Sequence, residues 1–465
     1  MHVLFGRISG RSVLLVIIEH LLIVLGVGAA TVIRTLVTGQ ALEVDVLQLL
    51  WRAVFIAGVV QICLHYCDLY DLRTVADRRD LFVSLLRAVG GAAMVLAVFY
   101  YWIPSLMIGR GVFIIASVFV AFFVTGWRVT FEWVSLQLGP AERLLMVGTH
   151  PAAVALAAEL YNLRKELGVE LVGFIDSDKS RVGTSLINPG IIGTVADIPL
   201  IVRDRKVDRV VVSLTDARGK LSMEDLLQMK LKDGVQFDHL ASVYEKYTGK
   251  IAVENLRPSW LVFSEGFTKS RVVSAVKRLM DIAFATIGLL LAAPILLIVA
   301  VAVRLSSEGP ALYHQQRVGK NGKVFTVHKF RSMFVDAESR TGAVWSTVSD
   351  PRVTPVGRFL RRTRLDELPQ LWNVLTGDMS FVGPRPERPV FVADLTEQIP
   401  FYGQRHVVRP GLTGWAQVRH AYGASVDDAL QKLQYDLFYI KHLSIAFDLF
   451  IVLETMKTVL VRRGS

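Results

Sequence analysis

The chain has 465 residues, of which 52% are apolar, and it carries a formal net charge of +11. Its apolar residues form long uncharged runs, 22 residues over Ile282–Val303 and 17 over Gly111–Trp127. Such runs match the roughly 17 to 25 residues that a helix needs to cross a bilayer. A purely soluble enzyme is therefore excluded. A pure transporter is excluded as well, because the charged stretches between Glu142 and Arg278 and after Arg304 are long enough for soluble domains.

The excess positive charge lies almost entirely in the C-terminal region. Residues 1–140 hold 10 Lys and Arg against 8 Asp and Glu, residues 141–264 hold 16 against 16, and residues 265–465 hold 26 against 17. A basic region beside apolar segments favours membrane lipid or phosphorylated substrates as ligands. No nucleic-acid partner is expected, because the chain has no zinc-finger or RNP motif. We predict one domain for each of these three regions.

Residues 1–140 are predicted to form a four-helix transmembrane domain. Its apolar segments are about Val13–Ile33, Ala53–Cys67, Leu81–Trp102 and Val112–Val134. Arginines before the first segment and after the second place the N-terminus, the second loop and everything after the fourth segment in the cytoplasm. Glu19 and His20 lie deep in the first segment, where a buried pair facing a neighbouring helix is favoured over a proton relay. No cleavable signal peptide is expected.

Residues 141–264 alternate between predicted strands and helices. Buried strands are predicted at Leu144–Val147, Leu171–Ile175 and Arg209–Leu214, and a helix at Pro151–Leu163. This alternation predicts a parallel, Rossmann-like sheet. The glycine fingerprint of dinucleotide sites is poor, because His150 stands where a second glycine would let a pyrophosphate approach. A regulatory or dimerisation domain is therefore favoured over a dinucleotide site, and a homodimer stays open.

The longest uncharged run, Ile282–Val303, has basic residues on both sides. Pro294 lies near its middle, where it removes a helix hydrogen bond and favours a kink. Basic residues on both flanks favour a helix that breaks at Pro294 and enters and leaves by the cytoplasmic face. We therefore predict a re-entrant hairpin over residues 282–303, with an ordinary kinked fifth span as the alternative.

Potential phosphate ligands follow this run. Gly319–Lys323 predicts a turn between two strands. The second strand leads to Lys329 and Arg331, which a spacing of two residues places on one strand face. Further along, Arg385 stands between two prolines, which limit the freedom of the backbone. A guanidinium presented in this way suits bidentate binding of phosphate.

An acidic pair lies between these basic segments. The stretch Gly357–Gln370 predicts a basic helix carrying Arg361, which ends or bends at Pro369 just after Asp366 and Glu367. Neighbouring carboxylates on a helix point about 100° apart, so this pair cannot be a symmetric dyad. One can attack phosphorus while the other holds a divalent ion or handles a proton. Alone, an Asp-Glu pair is more often a solvated helix face.

Four motifs in chain order resemble the bacterial sugar transferase family, the polyprenyl-phosphate hexose-1-phosphate transferases that start exopolysaccharide and O-antigen assembly. They are Lys329-Phe-Arg-Ser-Met, Arg364-Leu-Asp-Glu-Leu-Pro-Gln-Leu, Val382-Gly-Pro-Arg-Pro-Glu and Arg409-Pro-Gly-Leu-Thr-Gly-Trp. The tail residues Tyr435, Asp436, Tyr439, Ser444 and Asp448 fit the same pattern. The motif match covers about residues 269–465. The N-terminal segments and the middle domain are similar to those of the long-chain members.

This resemblance implies a phosphoglycosyl transferase mechanism. Asp366 would attack the β-phosphate of a UDP-sugar, with UDP-glucose or UDP-galactose favoured, releasing UMP and forming a phosphosugar–aspartate intermediate. Undecaprenyl phosphate would then accept the phosphosugar. Glu367 would assist, and the acidic pair would hold Mg²⁺. Lys329, Arg361 and Arg385 match basic residues of the family's site. Ala293 departs from the pattern, because many members have Ser before the proline that corresponds to Pro294.

The resemblance also implies a multi-pass protein of the bacterial inner membrane, with a re-entrant helix and its catalytic domain on the cytoplasmic face. Two other functions stay open. A non-enzymatic membrane scaffold or sensor would explain the first 264 residues, but not the cluster of arginines, Asp-Glu and Pro-Arg-Pro. A conventional glycosyltransferase would release UDP rather than UMP. The sequence does not identify the sugar.

Overall fold

A computed structural model of the chain describes residues 10–39, 45–67, 69–70, 78–137, 142–212, 223–232, 234–253, 264, 266–268, 270–335, 337, 350–420, 423 and 425–460. By backbone contacts the chain divides into two compact units, residues 2–243 and residues 244–465. The last two residues of the predicted strand Arg209–Leu214 lie outside the described residues.

Four long helices open the first unit: α1 (Gly10–Thr38), α2 (Val46–Tyr66), α3 (Arg78–Trp102) and α4 (Arg110–Gln137). The four predicted apolar segments coincide with these helices. One face of each helix contributes to a shared apolar cluster that includes Val27, Ala57 and Val120. Leu25 and Phe122 point outward and are 64% and 69% exposed. All four helices contain segments long and apolar enough to cross a membrane. An apolar exterior is expected where the surrounding medium is lipid.

A buried ion pair joins α1 to α4. Nε of Arg128 lies 2.7 Å from Oε1 of Glu19, and both side chains are almost fully buried. Arg128 also donates a hydrogen bond to the carbonyl of Leu69. The neighbouring His20 contacts Oε1 of Gln61, on α2, through Nδ1 at 2.8 Å. Glu19 and His20 therefore each meet a partner on another helix, as expected for polar groups at this depth.

A five-stranded parallel sheet forms the rest of the first unit. Its strands are β1 (Glu142–Val147), β2 (Val169–Asp176), β3 (Ile191–Thr194), β4 (Arg209–Val212) and β5 (Gln236–His239). They lie in the order β3-β2-β1-β4-β5, and every neighbouring pair is parallel. This is the strand order of a Rossmann fold, so the predicted Rossmann-like sheet is confirmed. The helices α5 (Pro151–Leu167), α6 (Ile198–Asp204) and α7 (Met223–Lys232) connect the strands.

The carboxyl edge of this sheet is engaged by the chain's own side chains. Asp176, at the end of β2, accepts a hydrogen bond from Thr149 at 2.7 Å and pairs with Arg181 at 2.6 Å. His150 caps α5 by accepting from the backbone N–H of Ala152 at 3.4 Å. In a dinucleotide site, the acidic group near the end of β2 would meet a ribose and the start of α5 a pyrophosphate.

The second unit begins at Tyr244, inside helix α8 (Leu240–Thr248). Its strands are β6 (Leu312–Val318), β7 (Val324–Phe330), β8 (Ser380–Val382) and β9 (Gly411–Thr413). Its further helices are α9 (Arg271–Ser306), α10 (Pro355–Thr363), α11 (Gln370–Thr376), α12 (Pro389–Gln398), α13 (Trp415–Arg419), α14 (Val426–His442) and α15 (Ile445–Leu460). β6 and β7 form the antiparallel hairpin predicted around Gly319–Lys323. β8 and β9 pair in parallel.

Residues just after Tyr244 pack with the second unit through specific contacts. Nε1 of Trp415 donates to the carbonyl of Gly249 at 3.0 Å. Glu245 pairs with Lys441 at 2.8 Å. The predicted boundary after residue 264 lies 20 residues beyond Tyr244, where the second unit begins. The division of the chain into three domains stays a prediction.

Helix α9 is the fifth helix of the described residues that is long and apolar enough to cross a membrane. It has 36 residues and stays helical through Pro294, where a break is predicted. The hydroxyl of Ser270 caps its first turn by accepting from the N–H of Val273. At its C-terminal end, Arg331 donates to the carbonyls of Ser307, at 2.8 Å, and Glu308. Both ends of α9 are therefore capped by polar side chains.

Candidate active site

Lys329 reaches the candidate site from the end of β7. Its Nζ lies 3.3 Å from Oε1 of Glu367. Next to it, Asn373 of α11 bonds twice to the backbone of β7: its Oδ1 accepts from the N–H of His328 at 3.1 Å, and its Nδ2 donates to the carbonyl of Thr326 at 2.7 Å. Asn373 is 1% exposed. It fixes the position of the β6–β7 hairpin relative to α11, a role that no feature of the sequence indicates.

The acidic pair lies on a 3₁₀ turn, Leu365–Glu367, and not on the predicted continuous helix. α10 ends at Thr363, because Arg364 adopts a left-handed conformation with φ of 60°. The prediction that the helix runs to Pro369 is therefore wrong; Pro369 instead precedes the first turn of α11. Side chains on a 3₁₀ helix are about 120° apart, so the two carboxylates still cannot form a symmetric dyad.

The start of α10 is held against the segment that follows β7, the strand that brings Lys329. Thr354 caps α10 by accepting from the N–H of Gly357 at 2.9 Å. A Cβ at Gly357 would lie 2.0 Å from the carbonyl oxygen of Ser332, so only glycine permits this approach. With α10 held in this way, the turn at Arg364 directs Asp366 into the interior.

The two carboxylates have different surroundings. Oε1 of Glu367 meets both Nη2 of Arg385, at 2.6 Å, and Nζ of Lys329. Asp366 is buried, and its Oδ1 makes no hydrogen bond with any described residue. Glu367 is therefore held by two cations, whereas one oxygen of Asp366 is left without a partner in the described part of the chain.

Their pKa values move in opposite directions. Burial raises the pKa of Asp366, and the negative charge of Glu367 raises it further. The positive charges of Lys329 and Arg361 lower this pKa, but by less. Burial would also raise the pKa of Glu367, but the positive charges of Arg385 and Lys329 outweigh it and hold that pKa well below its usual range. Neighbouring acids whose pKa values separate in this way are typical of sites where two carboxylates have different roles.

The structure brings together most of the predicted phosphate ligands, and it places Arg331 elsewhere. Lys329 and Arg385 contact Glu367 directly. Arg361 donates from Nε to Oγ of Ser332 at 2.9 Å, and its charge acts on Asp366. The side chain of Arg331 caps α9 and does not share the direction of Lys329.

The acidic pair provides hard oxygen ligands suited to Mg²⁺. Among the described residues, no group of three or more His, Cys, Asp or Glu side chains is arranged to hold a metal ion. An ion bound here would therefore need substrate phosphate oxygens or water to complete its coordination, which is how Mg²⁺ is commonly held. The buried oxygen of Asp366 without a hydrogen bond fits such a ligand.

Comparisons with known proteins found two family matches and several similar sequences. Residues 272–462 match the bacterial sugar transferase family, and residues 65–236 match a family described as a CoA-binding domain. A UDP-N-acetylgalactosamine-undecaprenyl-phosphate N-acetylgalactosaminephosphotransferase of Aeromonas hydrophila is 40% identical over 56% of this chain and 60% of its own length. An undecaprenyl-phosphate glucose phosphotransferase of Komagataeibacter xylinus is 35% identical over 70% of this chain and 60% of its own length.

The match extends over nearly all of one shorter relative. The exopolysaccharide production protein PSS of Rhizobium leguminosarum bv. phaseoli is 43% identical over 192 residues, which are 40% of this chain and 96% of that protein. The chain spans 60% of the length of each of the two longer relatives. Three observations lead to one conclusion: the geometry of the acidic cluster, the family match over α9 to α15, and the match over nearly the whole length of PSS. The chain belongs to the bacterial sugar transferase family.

Proposed function

We propose that this chain is a phosphoglycosyl transferase that moves a hexose-1-phosphate from UDP-glucose or UDP-galactose to undecaprenyl phosphate and releases UMP. The observation that carries the proposal is the buried cluster in which Lys329 and Arg385 hold Glu367, while Asp366 keeps one oxygen without a hydrogen bond among the described residues. The names of the Aeromonas and Komagataeibacter relatives support the acceptor and the type of reaction.

In the first step, a carboxylate oxygen of Asp366 attacks the β-phosphorus of the UDP-sugar. The bond from this phosphorus to the bridging oxygen of the diphosphate breaks, and UMP leaves with the bonding electrons. The product is a phosphosugar joined to Asp366 as an acyl phosphate. Lys329 acts on the charge of Asp366, and Arg385 contacts the neighbouring Glu367. From these positions both cations stabilise the negative charge of the transferring group.

In the second step, a phosphate oxygen of undecaprenyl phosphate attacks the same phosphorus. The bond to Asp366 breaks, which regenerates its carboxylate and forms undecaprenyl-diphosphate-sugar. Glu367 stays ionised throughout, because two cations stabilise its charged form. When bound to the acidic pair, Mg²⁺ supplies charge neutralisation on the phosphate oxygens.

We further propose that α9 is a re-entrant membrane helix and that α1 to α4 cross the membrane. Both halves of α9 contact the same compact unit. Ala285 packs in one cluster with Val327, and Val303 packs in another with Phe330, which lies three residues along the same strand. A helix whose ends lie in opposite compartments cannot place both halves on one soluble domain. These contacts support entry and exit by the same face.

Cysteine labelling tests this topology. We expect Val272→Cys and Glu308→Cys to react with a membrane-impermeant maleimide from the cytoplasmic side only, in a chain whose Cys63 and Cys67 are replaced by alanine. Met107→Cys, between α3 and α4, is the control and should react from the opposite side. Labelling of positions 272 and 308 from opposite sides would refute re-entry and favour a fifth span.

The nucleotide product tests the function itself. Purified full-length protein with Mg²⁺ and undecaprenyl phosphate is given UDP-glucose, UDP-galactose and UDP-N-acetylgalactosamine in turn. We expect UMP release with UDP-glucose or UDP-galactose. Release of UDP would instead identify a conventional glycosyltransferase. Absence of any nucleotide release across the panel would favour a non-enzymatic scaffold or sensor.

A further inference from the structure

The segment that carries Arg385 is held in place by its backbone carbonyls. Before Arg385, the carbonyl of Val382 accepts from Nζ of Lys277 at 2.9 Å and from the hydroxyl of Tyr439 at 3.1 Å. The carbonyl of Pro384 accepts from the N–H of Gly411 at 2.9 Å. After Arg385, the carbonyl of Pro386 accepts from Nη1 of Arg317 at 3.1 Å, and that of Glu387 accepts from the N–H of Val318 at 2.9 Å. The two prolines around Arg385 are therefore only part of what limits this backbone.

The carbonyl of Arg385 itself is bound by a buried arginine, Arg405. Nη2 of Arg405 donates to this carbonyl at 3.0 Å, and Nη1 donates to the hydroxyl of Tyr402 at 2.6 Å. Nη2 also lies 2.8 Å from Oδ2 of Asp436, which comes from the middle of α14. The Arg405 and Asp436 side chains are 4% and 2% exposed. Asp436 thus forms an ion pair with the same guanidinium that binds the carbonyl of Arg385.

Stability alone does not account for a fully buried ion pair at this place. Removing two charges from water is costly, and apolar replacements of such pairs are often neutral or stabilising. A guanidinium has a planar, rigid set of donors, so it can join a hydroxyl, a carbonyl and a carboxylate in one arrangement. Arg405 binds the backbone carbonyl of Arg385, and the side chain of Arg385 contacts Glu367 through Nη2.

We infer that Asp436, acting through Arg405, is a positioning residue that places the guanidinium of Arg385 for the phosphoryl transfer. The inference rests on the proposed function. Asp436 is linked to Arg385 through Arg405, whose Nη2 lies beside Oδ2 of Asp436 and donates to the carbonyl of Arg385. A displacement of about 1 Å at a group that stabilises a transition state can cost about 100-fold in rate.

A double-mutant cycle tests the inference, with Asp427→Asn, at the exposed start of α14, as the control. In the full chain we expect Asp436→Asn to lower kcat for UMP release about 10-fold or more with little change in KM. In an Arg385→Ala background, Asp436→Asn should change kcat less than about 2-fold, because substitutions of residues that act as a unit do not have additive effects. Equal losses in both backgrounds would overturn the inference and leave a structural role.

A second variant keeps the test decisive if Asp436→Asn folds poorly. Tyr402→Phe keeps the ion pair and removes only one partner of Arg405, and it should behave in the same way in the cycle. Absence of UMP release by the wild-type chain would refute the proposed function. UMP release combined with additive effects would refute only the role of Asp436.

The pH dependence offers a second readout. Burial raises the pKa of Asp436 to about 6, and the charge of Glu387 adds a smaller effect in the same direction. The positive charges of Arg405 and Lys432 act in the opposite direction. As the pH falls through this value, Asp436 becomes neutral and resembles asparagine. The kcat values of wild type and Asp436→Asn should therefore converge as the pH falls from about 7.5 to about 5.5. A constant ratio over this range would contradict the assigned role.

Discussion

Replacing Asp366 by asparagine is expected to lower UMP release by at least about 1,000-fold, because the amide cannot form the acyl phosphate on which both steps depend. Asp366 has one buried oxygen without a hydrogen bond among the described residues, so the loss should be chemical and the fold should persist. Asp394→Asn, on the exposed face of α12, is the matched control and should stay within about 2-fold of wild type.

The covalent intermediate gives this prediction a direct readout. Incubation with a UDP-sugar in the absence of undecaprenyl phosphate, followed by acid quenching and peptide mass analysis, should show one added phosphosugar on the peptide that contains residue 366. The adduct should be absent from Asp366→Asn. Normal turnover by that variant, or an adduct on Glu367, would show that the nucleophile is assigned to the wrong residue.

Replacing Arg385 by alanine is expected to lower kcat about 100- to 1,000-fold, the range seen when one preorganised donor to a developing charge is removed. Two effects combine. The transferring phosphate loses a neighbouring cation, and Glu367 loses its 2.6 Å partner, so the pKa of Glu367 should rise. Steady-state kcat and KM for the UDP-sugar measure the loss.

Two variants separate charge from geometry at this position. Arg385→Lys restores the positive charge but not the planar fork, so it should recover only part of the activity. Arg388→Ala, which removes a side chain lying over Phe391, should leave kcat within about 3-fold of wild type. Arg385→Ala with a lowered Tm and an unchanged kcat would mean that Arg385 acts only on the fold.

Local patterns predicted much of the fold. The four N-terminal apolar segments coincide with α1 to α4, and the three strands predicted in the middle domain lie at β1, β2 and β4 of a parallel sheet. The strands β3 and β5 were not predicted. The turn at Gly319–Lys323 joins β6 and β7. These features depend on hydrophobic periodicity and turn residues within short windows, which is why sequence reasoning finds them.

The acidic turn shows where such reasoning ends. Nothing in the residues Gly357–Gln370 marks Arg364 as the end of α10, because a left-handed arginine is locally unfavourable and glycine is the usual residue there. The surrounding structure selects this conformation by holding the start of α10 on Ser332 and by receiving Glu367 between two cations. The same limitation applies to Arg331, whose motif predicts a phosphate ligand but whose side chain caps α9.

Membrane-length apolar helices, a Rossmann-like middle domain and a basic C-terminal region with the family's motifs all follow from the order of the amino acids. Length of apolar runs, net charge and short motifs are properties of neighbouring residues, so they need no fold to be seen. Which cations face which carboxylate depends instead on the folded arrangement of the second unit. Glu367 meets Lys329 and Arg385 across 38 and 18 residues of chain, and Arg405 reaches the carbonyl of Arg385 across 20. Contacts at such separations depend on how the whole second unit packs, and no local pattern encodes them.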